Sequence, residues 1–211
     1  MKRLSLLSLA SVVLGSSIFA APAGGSQTIA DTLTSLDRFT RTEDENGLDK
    51  RRFDQRNWYD YDILFAAVLL DETLVPAVTD AATEVTLFAP NDRAFQLLAF
   101  DLTGHWFRTE AEVLDAIVGA VVAGDVDLTN VLTYHVVGAR VERRDVPLNT
   151  PVETLNGDTI TFRSRFFGFL VELEDSVDAF RNPFLVRTDI NAGKSVIHSI
   201  SRVLIPANVG G

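Results

Sequence analysis

The chain has 211 residues, 46% hydrophobic and 23% charged, with 14 phenylalanines and a formal net charge of −10. That length holds one domain with a sizeable core, and the composition excludes a chain disordered throughout. The acidic balance argues against a phosphate-tracking nucleic-acid binder and against anionic membrane surfaces, and the absence of cysteine excludes disulfides, a thiol nucleophile and cysteine-ligated zinc.

Lys2 and Arg3 precede an apolar stretch, Leu4 to Phe19, which ends in the small-residue exit Ala21-Pro22-Ala23. This is the pattern of a secretory signal peptide over residues 1–23, with cleavage near Ala23. Its removal would take the charge from −10 to −12. No second stretch approaches membrane-spanning length. The expectation is a mature chain that is secreted, periplasmic or held at the cell surface and does not insert into a membrane.

Thr28 to Leu36 has helical spacing. Residues 40–56 form a polar stretch in which Glu43, Asp44 and Glu45 precede Lys50, Arg51 and Arg52, the texture of a solvated loop. A calcium loop fails there, because leucine stands at the fifth ligand position and glycine comes too early. From Tyr61 onward Ile63, Leu64, Ala67, Val68 and Leu70 predict a buried helix, and Thr73 to Ala82 a second, short one. Val85 to Ala89 predicts a strand, which Pro90 ends. Asn91 then caps a helix burying Ala94, Phe95, Leu97 and Leu98. Thr109-Glu110-Ala111-Glu112 is a capping box for a helix stopped by Gly124, and Asp127 caps another that contains Leu128, Val131 and Leu132. The rest predicts strands: Val136 to Val141, Val152 to Leu155, Thr159 to Phe162, Phe166 to Leu173, Leu185 to Thr188 and Val196 to Ile205. Asn156-Gly157 is a hairpin turn in which both residues tolerate positive φ. A helical first half followed by a mostly β second half implies an α+β fold.

Three segments in order carry a resemblance: Thr86-Leu87-Phe88-Ala89-Pro90-Asn91-Asp92-Arg93-Ala94-Phe95, Val131-Leu132-Thr133-Tyr134-His135-Val136-Val137-Gly138, and Val196-Ile197-His198-Ser199-Ile200-Ser201-Arg202-Val203-Leu204-Ile205-Pro206. Together they resemble the signatures of the fasciclin-type domain. The resemblance implies one domain over residues 24–206, its helical half packed on a wedge-shaped β half, with an insertion near 40–56 and a short tail at 207–211. Phe100 to Asp127 is longer than the family's usual link, and Ser201 stands where the family commonly has aspartate. The implied function is a non-catalytic adhesion or matrix-binding module that recognises a protein or polysaccharide. In animal relatives the Tyr-His segment and an Asp-Ile pair are implicated in integrin binding, and the matching positions are Tyr134, His135, Asp189 and Ile190. The residues themselves read mostly as structural: Phe88 and Phe95 as core, His135 and His198 as satisfied histidines in apolar surroundings.

Every chemical pattern tested falls short. His105, His135 and His198 have no metal-ligand spacing, and no G-x-S-x-G elbow precedes a helix. Glu110, Glu112 and Asp115 suit the start of a helix better than a glycosidase pair. Asp125 and Asp127 alternate like calcium ligands, but Asn130 replaces the required glycine. No cofactor, metal site or catalytic residue is expected. Trp58-Tyr59-Asp60-Tyr61 would staple the incoming chain to the first buried helix, while Trp106 has the better claim to a surface role. Two alternatives remain: a carrier of a small apolar ligand built from the phenylalanines between 162 and 184, and an extracellular hydrolase.

Overall fold

The computed structural model describes residues 27–36, 58–177 and 180–209. The leader, the polar stretch at 40–56 and its rejected calcium loop lie outside the described residues. In chain order the elements are α1 (Ile29–Leu36), α2 (Asp62–Leu70), α3 (Val75–Thr79), β1 (Thr86–Pro90), α4 (Asp92–Thr103), α5 (Glu110–Ala123), α6 (Leu128–Tyr134), β2 (Val136–Val137), β3 (Pro151–Glu153), β4 (Thr159–Arg165), β5 (Leu170–Glu174), β6 (Leu185–Ala192) and β7 (Ser195–Ile200). This is the expected α+β class.

Two sheets share the β residues. The first has the order β2-β1-β7-β6, with β1 parallel to β7 and the other pairs antiparallel; the second is the antiparallel meander β3-β4-β5. β1 and β7 are buried at every position, so neither shows an alternation of buried and exposed residues, and β7 keeps Ser195, His198 and Ser199 inside as well as its apolar residues. Alternation along β1 divides the core in two. Leu87 and Ala89 join the helical side with Ile63, Leu64, Phe95 and Val113. Phe88 joins the space between the sheets with Tyr134, Ile160, Phe162, Leu173 and Leu204.

The helix ends follow their sequence signals. The Asn91 side chain accepts from the Ala94 N–H at 3.0 Å, and Asp127 accepts from Asn130 N–H at 3.1 Å. Thr109 and Glu112 complete the capping box reciprocally, and Gly124 closes α5 in the left-handed region at φ 79°.

Several strands are shorter or longer than periodicity suggested. The run Val136 to Val141 leaves the sheet after Val137, because the Thr86 hydroxyl donates to Ala139 O at 2.6 Å and accepts from Val141 N–H at 2.8 Å. The run Val196 to Ile205 stops at Ile200. Beyond it Leu204 N–H donates to His135 Nε2 at 2.9 Å and Ile205 N–H to Asp175 Oδ2 at 3.0 Å, so side chains take the place of a strand partner. β6 runs on past Thr188 to Ala192, through a bulge where Asp189 adopts φ 57°. Helix α3 is trimmed to Val75–Thr79. At the hairpin only Gly157 has positive φ, at 92°. Gly157 N–H donates to Thr154 O and Thr154 N–H to Asp158 O, the form of a type I turn followed by a glycine bulge rather than a two-residue turn. The segment Phe166 to Leu173 is not one strand: a 3₁₀ turn at Phe166–Gly168 separates β4 from β5.

Past the last strand, Asp127 N–H donates to Val209 O at 2.7 Å and Ala207 N–H to Asp158 Oδ2 at 3.3 Å. Residues 207–209 are therefore bonded to the domain. Thr86→Val would leave Ala139 O and Val141 N–H without their partner while keeping the side-chain volume. The expected loss is about 1–3 kcal/mol in denaturant unfolding, with Thr86→Ser close to wild type.

Candidate functional site

Pro90 ends β1 and turns the chain so that Asp92 becomes the first residue of α4. Its carboxylate crosses to another helix. Asp92 Oδ1 accepts from Ile63 N–H at 3.0 Å, at the start of α2, which has no side-chain cap of its own. Glu110 is the first residue of α5, and Asp60 lies just before α2. Asp60, Asp92 and Glu110 are all buried and bring one oxygen each within 4.8 Å of one another. The beginnings of three helices meet at this cluster, and their positive dipole ends favour negative charge there. Burial, with Asp60 as hydrogen-bonding neighbour and the charges of Asp60 and Glu110 close by, pushes the Asp92 carboxyl well above its usual range. A proton held between Asp92 and Asp60 is the arrangement that lets carboxylates stay so close.

The spacing is of metal-ligand type; burial and the mutual repulsion of the carboxyls favour a bound proton, against the helix N-termini, whose positive ends favour the charged form. Sequence reasoning explains the charge of Glu110 by the helix dipole, in the first turn of a capped helix. The box belongs to Glu112, which is exposed; Glu110 sits two residues earlier, on a different side of the helix, and turns inward. An acid among the aromatics of Trp58-Tyr59-Asp60-Tyr61 and a second acid after the Asn91 cap were the available signals, and only proximity unites them.

The entry segment is tied to this cluster. Arg93 N–H donates to Trp58 O at 2.8 Å and Asp92 N–H to Asp60 O at 3.1 Å. Tyr61 is buried and Tyr59 exposed. The backbone carbonyls of Trp58 and Asp60 thus dock the chain onto the start of α4, where the sequence pointed to the first buried helix, α2.

The residues matched to the integrin-associated positions divide sharply. Tyr134 is 0% exposed, and its hydroxyl donates to Thr159 O at 3.0 Å, with Ser176 Oγ at 3.2 Å. Burial pushes its phenol up to about 12. His135 is buried, and its Nε2 accepts from Leu204 N–H, so Nδ1–H donates to Val131 O at 2.7 Å. Ile190 belongs to the helical-side core. A partner meeting the folded domain reaches none of these three side chains, because the core and the inter-sheet bonds hold them inside. Asp189 is exposed, but it works structurally: its Oδ1 accepts from Arg143 N–H at 2.8 Å, and its own N–H donates to His198 Nδ1 at 3.2 Å. His198 Nε2–H then donates to Val141 O at 2.8 Å. Both buried histidines thus spend both ring nitrogens on backbone groups, and neither has a lone pair left to act as a base.

Of the residues singled out as partner contacts, Trp106 alone offers an aromatic surface. It is 40% exposed, with the Arg93 guanidinium 4.7 Å from its ring centre and Phe100 edge-on at 5.5 Å. The phenylalanines between 162 and 184 do not line a pocket together. Phe162 is in the core, while Phe166, Phe167 and Phe169 are outside it. An apolar cavity lies elsewhere, among Ile29, Leu33, Leu64, Phe65, Val68 and Leu132, and measures about 60 Å³. Drug-sized ligands need roughly 300 Å³ or more.

Among the described residues, the fold and these surfaces define a domain built around a buried centre. The fasciclin domain model matches residues 63–206, and the chain belongs to that family. Fasciclin domains are associated with cell adhesion and are typically extracellular or at the cell surface. No curated protein matches the chain. Among solved structures it is similar to a FAS1 domain pair from the insect cell adhesion molecule fasciclin I, at 16% identity and a TM-score of 0.42, over 66% of this chain and 43% of that one. The chain therefore spans less than half the length of that pair.

The buried groups predict opposite pH responses. The folded value of Asp92 lies above its ordinary 3.8, so its stabilising contribution is full below that value and is lost as pH rises through the raised one. His135 is pushed by burial from 6.5 to about 4, so its contribution is present above 6.5 and is lost as pH falls through 4. That shift corresponds to about 3 kcal/mol. Asp92→Asn keeps an oxygen for Ile63 N–H and removes the titration. Urea unfolding across pH 4–8 should show the variant more stable than wild type at pH 8, with the gap closing towards pH 4 and the histidine's acid loss laid bare.

Proposed function

We propose that this protein is an extracytoplasmic adhesion module that binds a protein or polysaccharide at the cell surface or in the surrounding matrix by surface complementarity. It works without a cofactor or a covalent step. The observation that carries the reading is the division of side chains. The groups that could do chemistry, His135, His198, Asp92 and Glu110, are sealed inside, while aromatic side chains are left at the surface. Family membership supports it from a second direction. The packing of α1 on the core through Ile29 and Leu33 supports a domain that begins before residue 63, consistent with residues 24–206 once a leader at 1–23 is removed.

Within this reading Trp106 is the contact we assign, with Arg93 stacked on its ring as a cationic neighbour. A tryptophan of this kind stacks on a sugar ring or seats a partner's apolar side chain. Tyr134 and His135 contribute by holding the sheets together beneath the surface.

The test is binding of the purified protein to producer cells, their extracted polysaccharide and a panel of matrix proteins. Trp106→Ala should weaken saturable binding about tenfold or more, as loss of a hot spot does, with an unchanged melting temperature. Tyr134→Ala should instead cost about 3–5 kcal/mol of stability, as for a buried aromatic, and Tyr134→Phe about 1 kcal/mol. Absence of saturable binding to every surface in the panel would sink the adhesion reading, and a folded Trp106→Ala protein that binds like wild type would remove Trp106 from it.

A further inference from the structure

The turn between β4 and β5 gathers several of the exposed large apolar side chains among the described residues. Its residues are Phe166-Phe167-Gly168-Phe169-Leu170, with no polar side chain among them. Phe166 is 69% exposed, Phe167 104% and Phe169 85%. The backbone there is unusual as well. Phe166 and Phe167 both lie in the left-handed region, at φ 50° and 58°, followed by Gly168 at 94°. Two consecutive bulky side chains rarely adopt that conformation, which asparagine or glycine would take with less strain. A turn whose only task was to reverse the chain would not be built this way; local preference has been set aside at a site where the aromatics face water.

The surroundings narrow what could cover this tip. The nearest charges on the two strands are already matched: Arg163 pairs with Glu174 at 2.8 Å, and Arg165 pairs with Glu172. The stem of the hairpin therefore brings no free charge to the tip. A groove on a protein partner is recognised through hydrogen bonds and charge at its rim as well as apolar contact, and the tip itself supplies none. A lipid interface asks only for apolar and aromatic area on a projecting element, without shape complementarity. The net charge of −10 disfavours an anionic bilayer and leaves a neutral one. Among the described residues no single helix is long and apolar enough to cross a membrane, so contact of this kind would be shallow.

We infer that the Phe166–Leu170 turn is a lipid-docking tip that seats its phenylalanines in the interface of a neutral, zwitterionic bilayer. The contact is reversible and involves no spanning segment. It gives an adhesion domain a means of staying at a surface that is separate from the Trp106 face, and it stands whether or not that face binds a partner.

Phe167→Trp places a reporter at the tip, whose emission can be separated from that of Trp58 and Trp106 by subtracting the wild-type spectrum. With phosphatidylcholine vesicles the added emission should move to shorter wavelength and be quenched when the acyl chains carry bromine. Phosphatidylserine vesicles should give a weaker response. Phe167→Ser combined with Phe169→Ser should lower partitioning onto phosphatidylcholine at least tenfold, with an unchanged melting temperature, because both side chains are already in water. Emission that does not move, a shift that brominated lipid does not quench, or a double variant that partitions like wild type would each overturn the proposal. So would a shift that follows protein concentration without lipid, which would make the tip a contact between copies of this chain.

Discussion

The parallel pairing of Thr86–Pro90 with Val196–Ile200 is the contact on which the rest of the domain is arranged. Both strands are buried on both faces, so neither can be formed as a half-exposed ribbon and covered later. One face needs the helices and the other needs the second sheet. The alternation of Leu87, Phe88 and Ala89 assigns each side chain to its own half of the core. His135 fastens the same centre at the level of hydrogen bonds, joining the end of α6 to the chain beyond β7 through Val131 O and Leu204 N–H.

What could be read in the sequence follows from the range over which each signal acts. Asn91, Thr109 with Glu112, Gly124 and Asp127 act within one turn of helix, and each does what its residue type implies. The three fasciclin-like segments hold the central strands and the α6–β2 junction, so the family and the α+β class were visible. Strand ends were harder. β2 does not continue past Val137, because the chain departs from the sheet at Gly138 and is then held by the Thr86 hydroxyl. Val203 to Ile205 look like strand, while the amides of Leu204 and Ile205 go to His135 and Asp175. β-propensity records a side chain that suits burial, and cannot say whether its amide meets a ladder or a side chain.

The surface was less legible than the core. Matching Tyr134, His135 and Ile190 to positions implicated in binding elsewhere selected residues that this chain keeps inside. A tyrosine next to a histidine in an apolar segment satisfies a core as well as it would an interface, and only burial separates the two. The three-acid cluster escaped for a different reason. Asp60, Asp92 and Glu110 are about 50 residues apart from first to last, and each has a local explanation at a helix start. The phenylalanine tip was hidden by its own composition, since consecutive aromatics at the end of an alternating run look like more strand until the backbone is seen to pass into the left-handed region.

The separation of β1 from β7 by about 110 residues also governs when the molecule can exist. Closing so long a loop carries a larger entropic cost than local pairing, and domains dominated by distant contacts fold slowly. More to the point, the centre of the first sheet cannot be completed while Ser195–Ile200 is still inside the ribosome. A nascent chain carrying every helix and all of the second sheet still lacks the strand that buries β1. The domain is therefore assembled after synthesis of its closing strand, and until then it is an unfolded or partly folded polypeptide whose β1 has no partner on that side.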